Sequence, residues 1–246
     1  MTSTTHSPHL AHQFDNLAQQ RLAATLGMWS FLVTEVLFFG GMFAGYAVYR
    51  FWYPAAFDAA SRHLDLLLGA VNTVVLLTSS LTMALAVDAS KRGDNGNVQR
   101  QLLFTILLAI IFLGIKGYEY NHKWHEHLVP GPNFVWADGH ASEGDSHALA
   151  AEELKVDDPN YHAPTDSEVN PGEAQLFFSF YFAMTGCHAL HMIIGIGILA
   201  TLWSAARNQK FSHDYYTPVE NTGLYWHFVD IVWVFLFPLL YLIDRT

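Results

Sequence analysis

Charge and cysteine are both scarce in this chain of 246 residues. Charged residues make up 14% of it, whereas a soluble domain usually carries about 25%. The single cysteine, Cys187, excludes an intrachain disulfide framework and a cysteine-based zinc cluster. The 12 basic residues are outnumbered by 22 acidic ones, and the formal net charge of −10 disfavours a nucleic-acid binder. This balance argues against an ordinary soluble globular protein.

Apolar residues, by contrast, are abundant and occur in long runs. A helix needs about 20 apolar residues to cross a bilayer core. Five such windows are present, at Leu26–Arg50, Leu66–Val87, Leu102–Tyr120, Leu176–Trp203 and Leu224–Ile243. The alternative is a large soluble helical core, but little amphipathic sequence is available to cover helices that are apolar all round. The sequence therefore predicts an all-α, polytopic membrane protein with a bundle of five transmembrane helices.

The segments outside the windows predict how the chain is organised. Residues 1–25 are polar, and residues 26–246 form the membrane domain, into which an acidic segment is inserted at 121–174. Most basic residues of the short connections fall on the N-terminal side, namely Arg21, Lys91, Arg92, Arg100, Arg207 and Lys210. By the positive-inside rule we expect a cytoplasmic N-terminus. The insertion and the C-terminus are then expected on the periplasmic or external side.

Ionisable residues within the windows are informative, because a charge inside a bilayer costs about 2.5–3.5 kcal/mol on insertion scales. They are Glu35, Lys116, Glu119, His188, His191, His227 and Asp230. A rise of about 1.5 Å per residue places Glu35 and His191 roughly 14 and 18 Å from the cytoplasmic face. We therefore hypothesise that these two side chains are in contact. The alternative is that nearby hydroxyl or carbonyl groups satisfy each of them separately.

Two of these positions have more than one interpretation. Glu35 lies among apolar residues and can serve in a proton relay or as an anchor between helices. His188 and His191 are three residues apart, a spacing that can place two imidazoles on a metal or a haem. Two ligands are too few, however, and no further pattern completes a site. We expect a histidine pair with hydrogen-bond partners inside the bundle.

Short spacings also predict two further contacts. Asp230 lies three residues after His227 and four after Trp226, so a hydrogen bond to one of them is expected to satisfy the carboxylate. Lys116 and Glu119 are three residues apart near the outer end of the third window. They are expected to pair with each other or to extend to the membrane interface.

The remaining patterns give no self-contained catalytic centre. Histidines gather beside Glu126, at His122, His125 and His127. An ordinary hydrated loop is the simpler interpretation there, and a copper or zinc site is the alternative. The sequence has no phosphate-binding loop, dinucleotide-binding fingerprint or zinc-protease motif. The chain alone is therefore not predicted to be catalytic, and no cofactor is expected in it.

A series of motifs follows the predicted helices in order. They are Thr34–Phe39, Asn72–Thr73 with Ser79–Ser80, Tyr118–Tyr120, Gly186–Gly195, Arg207–Phe211 and Tyr225–Phe237. Together they resemble subunit III of the haem–copper cytochrome c oxidases, in its bacterial five-helix form, over Leu26–Asp244. The last motif is the most specific, since a run of 13 residues of this kind is improbable by chance.

The resemblance implies a non-catalytic subunit of a proton-translocating oxidase in the bacterial inner membrane. It implies direct contact with the catalytic subunit I, association with subunit II and other respiratory-complex subunits, and haem and copper in those partners. Glu35 matches the family's buried, carbodiimide-reactive carboxyl, whose suggested roles are active-site stability during turnover and proton entry. A buried polar network is expected from Asn72, Glu119, His188, His191, Trp226, His227 and Asp230. Structurally bound phospholipids are expected as well.

The chain departs from the mitochondrial form of the family in two respects. The resemblance begins at the third of that form's seven helices, so lipid ligands on its first two helices are not expected to transfer to this chain. Its insertion at 121–174 is much longer, and it offers a contact for another subunit or a donor protein. Two rival functions stay open. One is the same fold in a quinol oxidase or a nitric oxide reductase complex, and the other is a small proton-conducting transporter that uses Glu35, His191 and Asp230.

Overall fold

The computed structural model describes residues 10–136, 169–213 and 215–242, and within them the chain is helical, with no β-strand. The six helices are α1 Leu17–Trp52, α2 Pro54–Arg62, α3 Leu66–Lys91, α4 Asn95–His125, α5 Pro171–Arg207 and α6 Thr217–Tyr241. All except α2 are long and apolar enough to cross a membrane. The prediction of an all-α polytopic membrane protein with five spanning helices is confirmed.

Polar capping residues start four of the helices. The Asn16 side chain accepts a hydrogen bond from the backbone N–H of Gln19, so α1 begins at Leu17 rather than at Leu26. Side chains of Asp65, Asp94 and Asn170 cap α3, α4 and α5 in the same way. With 36 residues, α1 is about 54 Å long, so it extends beyond a bilayer core of about 30 Å.

Helix α6 lies at the centre of the bundle, where it packs against α1, α2, α3 and α5. Beside it, α3 and α4 form an antiparallel hairpin. Helix α1 is peripheral by comparison. Its only buried residues are Leu32, Phe39 and Tyr46, which are spaced at seven-residue intervals along one stripe. Most of the remaining surface of α1 is apolar and exposed. This helix therefore leaves a broad face available to lipid or to another protein.

The ends of α1, α3 and α6 meet on one side of the bundle. The guanidinium of Arg21 lies 4.9 Å from the centre of the Tyr216 ring, and the Lys91 ammonium lies 5.7 Å from it. Lys91 also forms an ion pair with Glu220, with 2.7 Å between Nζ and Oε1. Basic residues of two different connections are thus brought together on the same side of the membrane domain.

The sequence windows missed helix α2. It is a short amphipathic helix that buries Phe57 and several alanines, and it packs against α5. Of the predicted insertion 121–174, residues 121–125 continue α4, residues 171–174 begin α5, and residues 137–168 lie outside the described residues. Residues 1–9 of the polar N-terminal segment and residue 243, at the end of the fifth window, also lie outside them.

Candidate functional site

Glu35 of α1 and His191 of α5 are in direct contact, as hypothesised from their depths. The distance between Glu35 Oε2 and His191 Nε2 is 3.0 Å. The Nδ1 atom of the same imidazole lies 2.8 Å from the backbone carbonyl oxygen of Cys187. The side chains of His191 and Glu35 keep 14% and 18% exposure, respectively, so the pair lies at the edge of the bundle rather than in its centre.

Aromatic residues enclose this pair. The Tyr225 hydroxyl donates to the backbone carbonyl of His191 over 2.9 Å, and its ring centre lies 6.4 Å from that of His191. Phe39 presents its ring to the imidazole at 5.3 Å between centres. Gly195 allows Tyr225 to approach, because a Cβ atom there would lie 3.3 Å from Tyr225 Cε1 and 2.7 Å from Trp226 Cζ3. Tyr225 was not predicted as a site residue, although its position beside Trp226 in the last motif was a signal.

Of the two histidines expected to have hydrogen-bond partners, only His191 has them among the described residues. His188 is 1% exposed and points away from Glu35, with its ring near Phe112 and Trp233 at 5.5 and 5.4 Å between centres. Neither of its ring nitrogens has a hydrogen-bond partner among the described residues. The prediction of partners for both histidines was therefore wrong for His188. Residues three apart on a helix are separated by about 60° around its axis, and here the two rings contact different neighbours, namely Phe112 and Trp233 for His188 and Phe39 and Tyr225 for His191.

The predicted hydrogen bond from His227 or Trp226 to the Asp230 carboxylate is also absent. The Trp226 indole N–H donates to the Ser79 hydroxyl over 3.0 Å, and His227 Nδ1 lies 2.7 Å from the Ser80 hydroxyl. The Ser80 hydroxyl also faces the Asp230 carboxyl, but no hydrogen bond of normal geometry reaches either carboxyl oxygen within the described part of the chain. Spacing along α6 alone could not predict this outcome, because Trp226 and His227 are hydrogen-bonded to Ser79 and Ser80 of α3 instead of Asp230.

Asn72 lies in the same bundle without joining a network. Its side chain is fully buried, and neither amide atom has a hydrogen-bond partner within the ranges that the structure describes. Its neighbour Thr73 accepts a hydrogen bond from the Trp233 indole N–H over 3.1 Å. Besides the Lys91–Glu220 ion pair, three hydrogen bonds between uncharged side chains therefore connect the antiparallel helices α3 and α6 within the described residues, and they involve neither Asn72 nor Asp230.

Lys116 and Glu119 form a buried ion pair in α4, with 2.9 Å between Nζ and Oε2. Their side chains are 5% and 2% exposed, so they pair with each other and do not extend to the interface. Tyr181 of α5 and Tyr241 of α6 both donate to Glu119 Oε1, over 2.9 and 2.6 Å. Lys116 Nζ also donates to both tyrosine hydroxyls, over 3.3 and 2.7 Å. The cluster saturates both charges and joins three helices.

The histidines at the outer end of α4 do not gather around a common point. His122 pairs with Glu126 at 3.0 Å, and Lys123 occupies the second carboxylate oxygen at 2.6 Å. Among residues 10–136, 169–213 and 215–242, no three His, Cys, Asp or Glu side chains are arranged to hold a metal ion. His122 and His125 lie in the last turn of α4 rather than in the expected loop, and only His127 follows the helix.

Comparison with known proteins places this arrangement in a family. The family model described as cytochrome c oxidase subunit III matches residues 11–126 and 172–244. A cytochrome c oxidase subunit 3 from Synechocystis sp. is 30% identical over 242 residues, which cover 98% of this chain and 83% of the relative.

Two other relatives carry different descriptions. A heme-copper oxidase subunit I+III from Aeropyrum pernix is 28% identical over 224 residues, covering 88% of this chain and 22% of the relative. A probable quinol oxidase subunit 3 from Staphylococcus haemolyticus is 23% identical over 238 residues, covering 97% and 98% of the two chains. The family match includes every helix that carries Glu35, His191 and the buried ion pair, and it extends over more than half of the sequence. The chain therefore belongs to the cytochrome c oxidase subunit III family.

Proposed function

We propose that this chain is a non-catalytic membrane subunit of a proton-translocating cytochrome c oxidase, where it stabilises the catalytic subunit I and supports proton uptake. The observation that carries the proposal is the contact between Glu35 and His191 at the edge of the bundle. A carboxyl and an imidazole in hydrogen-bond contact can exchange a proton without rearranging the chain. Their partial exposure leaves the pair accessible from a neighbouring subunit.

The surroundings of Glu35 support a docking role for α1. Large apolar side chains on this helix are exposed on both sides of Glu35, including Phe31, Val36 and Leu37. Such a surface needs lipid or protein against it in a membrane. The relative that combines subunits I and III in one chain supports subunit I as the neighbour. Contacts with subunit II and with other respiratory-complex subunits follow from the same proposal.

We assign the chain to the bacterial cytoplasmic membrane, with the N-terminus and the Arg21–Lys91 side in the cytoplasm. The clustering of basic residues on that side supports this orientation. The segment 121–174 and the C-terminus are then periplasmic or external. In this proposal haem and copper are bound by partner subunits, and phospholipids cover those parts of α1 that subunit I leaves free.

The first experiment is purification of the complex through this chain in a mild detergent, followed by an optical spectrum and identification of the subunits. We expect subunit I with its haem to co-purify. A chain that purifies alone and conducts protons in vesicles would contradict the proposal and support a transporter.

The second experiment tests the role of Glu35. In Glu35→Ala we expect an assembled complex that inactivates sooner during turnover and takes up protons more slowly, because the exchangeable pair is lost. Glu173→Ala is the matched control, since it removes a carboxyl near the outer end of α5. Equal lifetimes and equal proton uptake in the two variants would contradict the proposed role.

A quinol oxidase is the second candidate, and the quinol oxidase subunit 3 relative favours it. The two candidates differ in the electron donor and in the metal content of the purified complex. A cytochrome c oxidase contains a dinuclear copper entry centre and oxidises cytochrome c, whereas a quinol oxidase lacks that centre. Copper analysis and donor specificity therefore decide between them.

A further inference from the structure

The two nitrogens of His191 face groups of different hydrogen-bonding capacity. Nδ1 faces the backbone carbonyl oxygen of Cys187 at 2.8 Å, and a carbonyl oxygen can only accept a hydrogen bond. Nδ1 must therefore carry a hydrogen. Nε2 faces Glu35 Oε2 at 3.0 Å, and this second contact also needs a hydrogen between its two atoms.

This geometry requires one proton between His191 Nε2 and Glu35 Oε2. With the proton on Oε2, a neutral carboxyl donates to a neutral imidazole. With the proton on Nε2, an imidazolium donates to a carboxylate, and no other bond has changed. If the proton leaves to a water molecule, two lone pairs face each other across 3.0 Å. The imidazole must then turn away from Glu35, or move its remaining hydrogen to Nε2 and lose the hydrogen bond to Cys187.

We infer that Glu35 and His191 form a one-proton site whose occupancy controls the hydrogen bonding of the His191 ring, and that Tyr225 is the positioning residue of this site. Its physiological purpose rests on the proposed function in proton uptake, whereas its chemistry rests on the contact geometry. In the part of the chain that the structure describes, the titratable groups that interact with the pair are Tyr225 from α6 and His188, one turn earlier on α5.

Tyr225 positions the site through the backbone of His191. Its hydroxyl donates to the His191 carbonyl at 2.9 Å, and its ring packs at 6.1 Å from Phe31 of α1, measured between ring centres. One side chain thus contacts both helices that supply the pair. Loss of the hydroxyl removes the bond to α5 and leaves the ring contacts in place, so the distance between Nε2 and Oε2 is expected to change without unfolding of the bundle.

The test is solid-state nitrogen NMR on the intact oxidase, purified in lipid with ¹⁵N-labelled histidine. The His191 signal is identified by its loss in His191→Gln. We expect a protonated, hydrogen-bonded Nδ1 at neutral pH, and a change in hydrogen bonding of one of the two nitrogens when the pH is raised. In Glu35→Gln the side-chain amide donates to Nε2 permanently, so this pH response is expected to be lost. A neutral ring protonated at Nε2 alone at neutral pH, or an equal pH response in Glu35→Gln, would overturn the inference.

Tyr225→Phe tests the positioning role, with Tyr118→Phe as the control because Tyr118 is 66% exposed. We expect a shifted His191 Nε2 signal in Tyr225→Phe and an unchanged one in Tyr118→Phe, with normal yields of both complexes. Identical His191 signals in the two variants would refute the role of Tyr225. Turnover is not measured in these experiments, so their failure would leave the proposed function standing, and a normal lifetime of Glu35→Ala would leave the one-proton site standing.

Discussion

The buried ion pair between Lys116 and Glu119 predicts a strong energetic coupling. Each charge is almost fully buried, and each is neutralised within the cluster. Removal of one partner leaves an uncompensated charge in a membrane-embedded core, which costs about 3–5 kcal/mol in buried pairs. We therefore expect Lys116→Met and Glu119→Leu each to destabilise the chain by about this amount. The double variant is expected to lose much less than the sum, about 1–3 kcal/mol, because no charge remains buried.

Tyr181 and Tyr241 explain why the double variant keeps part of its stability. Their hydroxyl groups both contact Glu119 Oε1 and Lys116 Nζ, so we expect them to pair with each other when both charges are removed. The measurement is the midpoint of SDS-induced release of this chain from the purified complex, determined for the wild type, both single variants and the double variant. Lys91→Met is the control, because its ion pair with Glu220 is exposed and worth about 0–1 kcal/mol. Additive losses in the Lys116 and Glu119 variants would refute the reasoning.

Two further predictions concern packing and an unpartnered carboxyl. Gly195→Ala places a Cβ atom 2.7 Å from Trp226 Cζ3 and is expected to destabilise the chain by about 1–3 kcal/mol in the same release assay. Gly197→Ala meets no atom within 4 Å and is the control; equal effects of the two variants would contradict the packing argument. Asp230→Leu removes carboxyl oxygens that lack a hydrogen bond within the described residues, so the yield of intact complex is expected to stay at or above the wild-type level. A strong fall in that yield would show that the carboxyl has a partner in another subunit.

The spanning helices could be predicted from the sequence because lipid imposes a simple requirement. A helix in a bilayer must be apolar on all sides, so five windows were enough to find α1, α3, α4, α5 and α6. The helix ends were not predictable in this way, since capping by Asn16 and Asp94 extends the helices into polar sequence. The short helix α2 escaped because its burial depends on contact with α5, which lies far away in the chain.

The polar contacts were predictable where depth in the membrane or short spacing along one helix restricted the choice, as for Glu35 with His191 and for Lys116 with Glu119. Glu35 and His191 were found because few other ionisable groups share their level in the membrane. The partner of Asp230 was predicted wrongly, since spacing along α6 gave no weight to Ser79 and Ser80 on α3. The enclosure of Lys116 was not predictable either, because Tyr181 and Tyr241 are 65 and 125 residues away.

The two charged clusters differ in a way that separates stability from function. Lys116 donates all three of its ammonium hydrogens within the chain, and Glu119 accepts from three donors. A buried cluster whose ammonium hydrogens are all used within the chain has little to offer a partner and is expected to hold the helices together. The carboxyl of Glu35 has His191 as its side-chain partner, and both side chains keep part of their surface exposed. Proton exchange with a neighbouring subunit requires unused hydrogen-bonding capacity at an accessible edge of the bundle. We therefore expect Glu35 to serve in proton exchange and Lys116 to stabilise the fold.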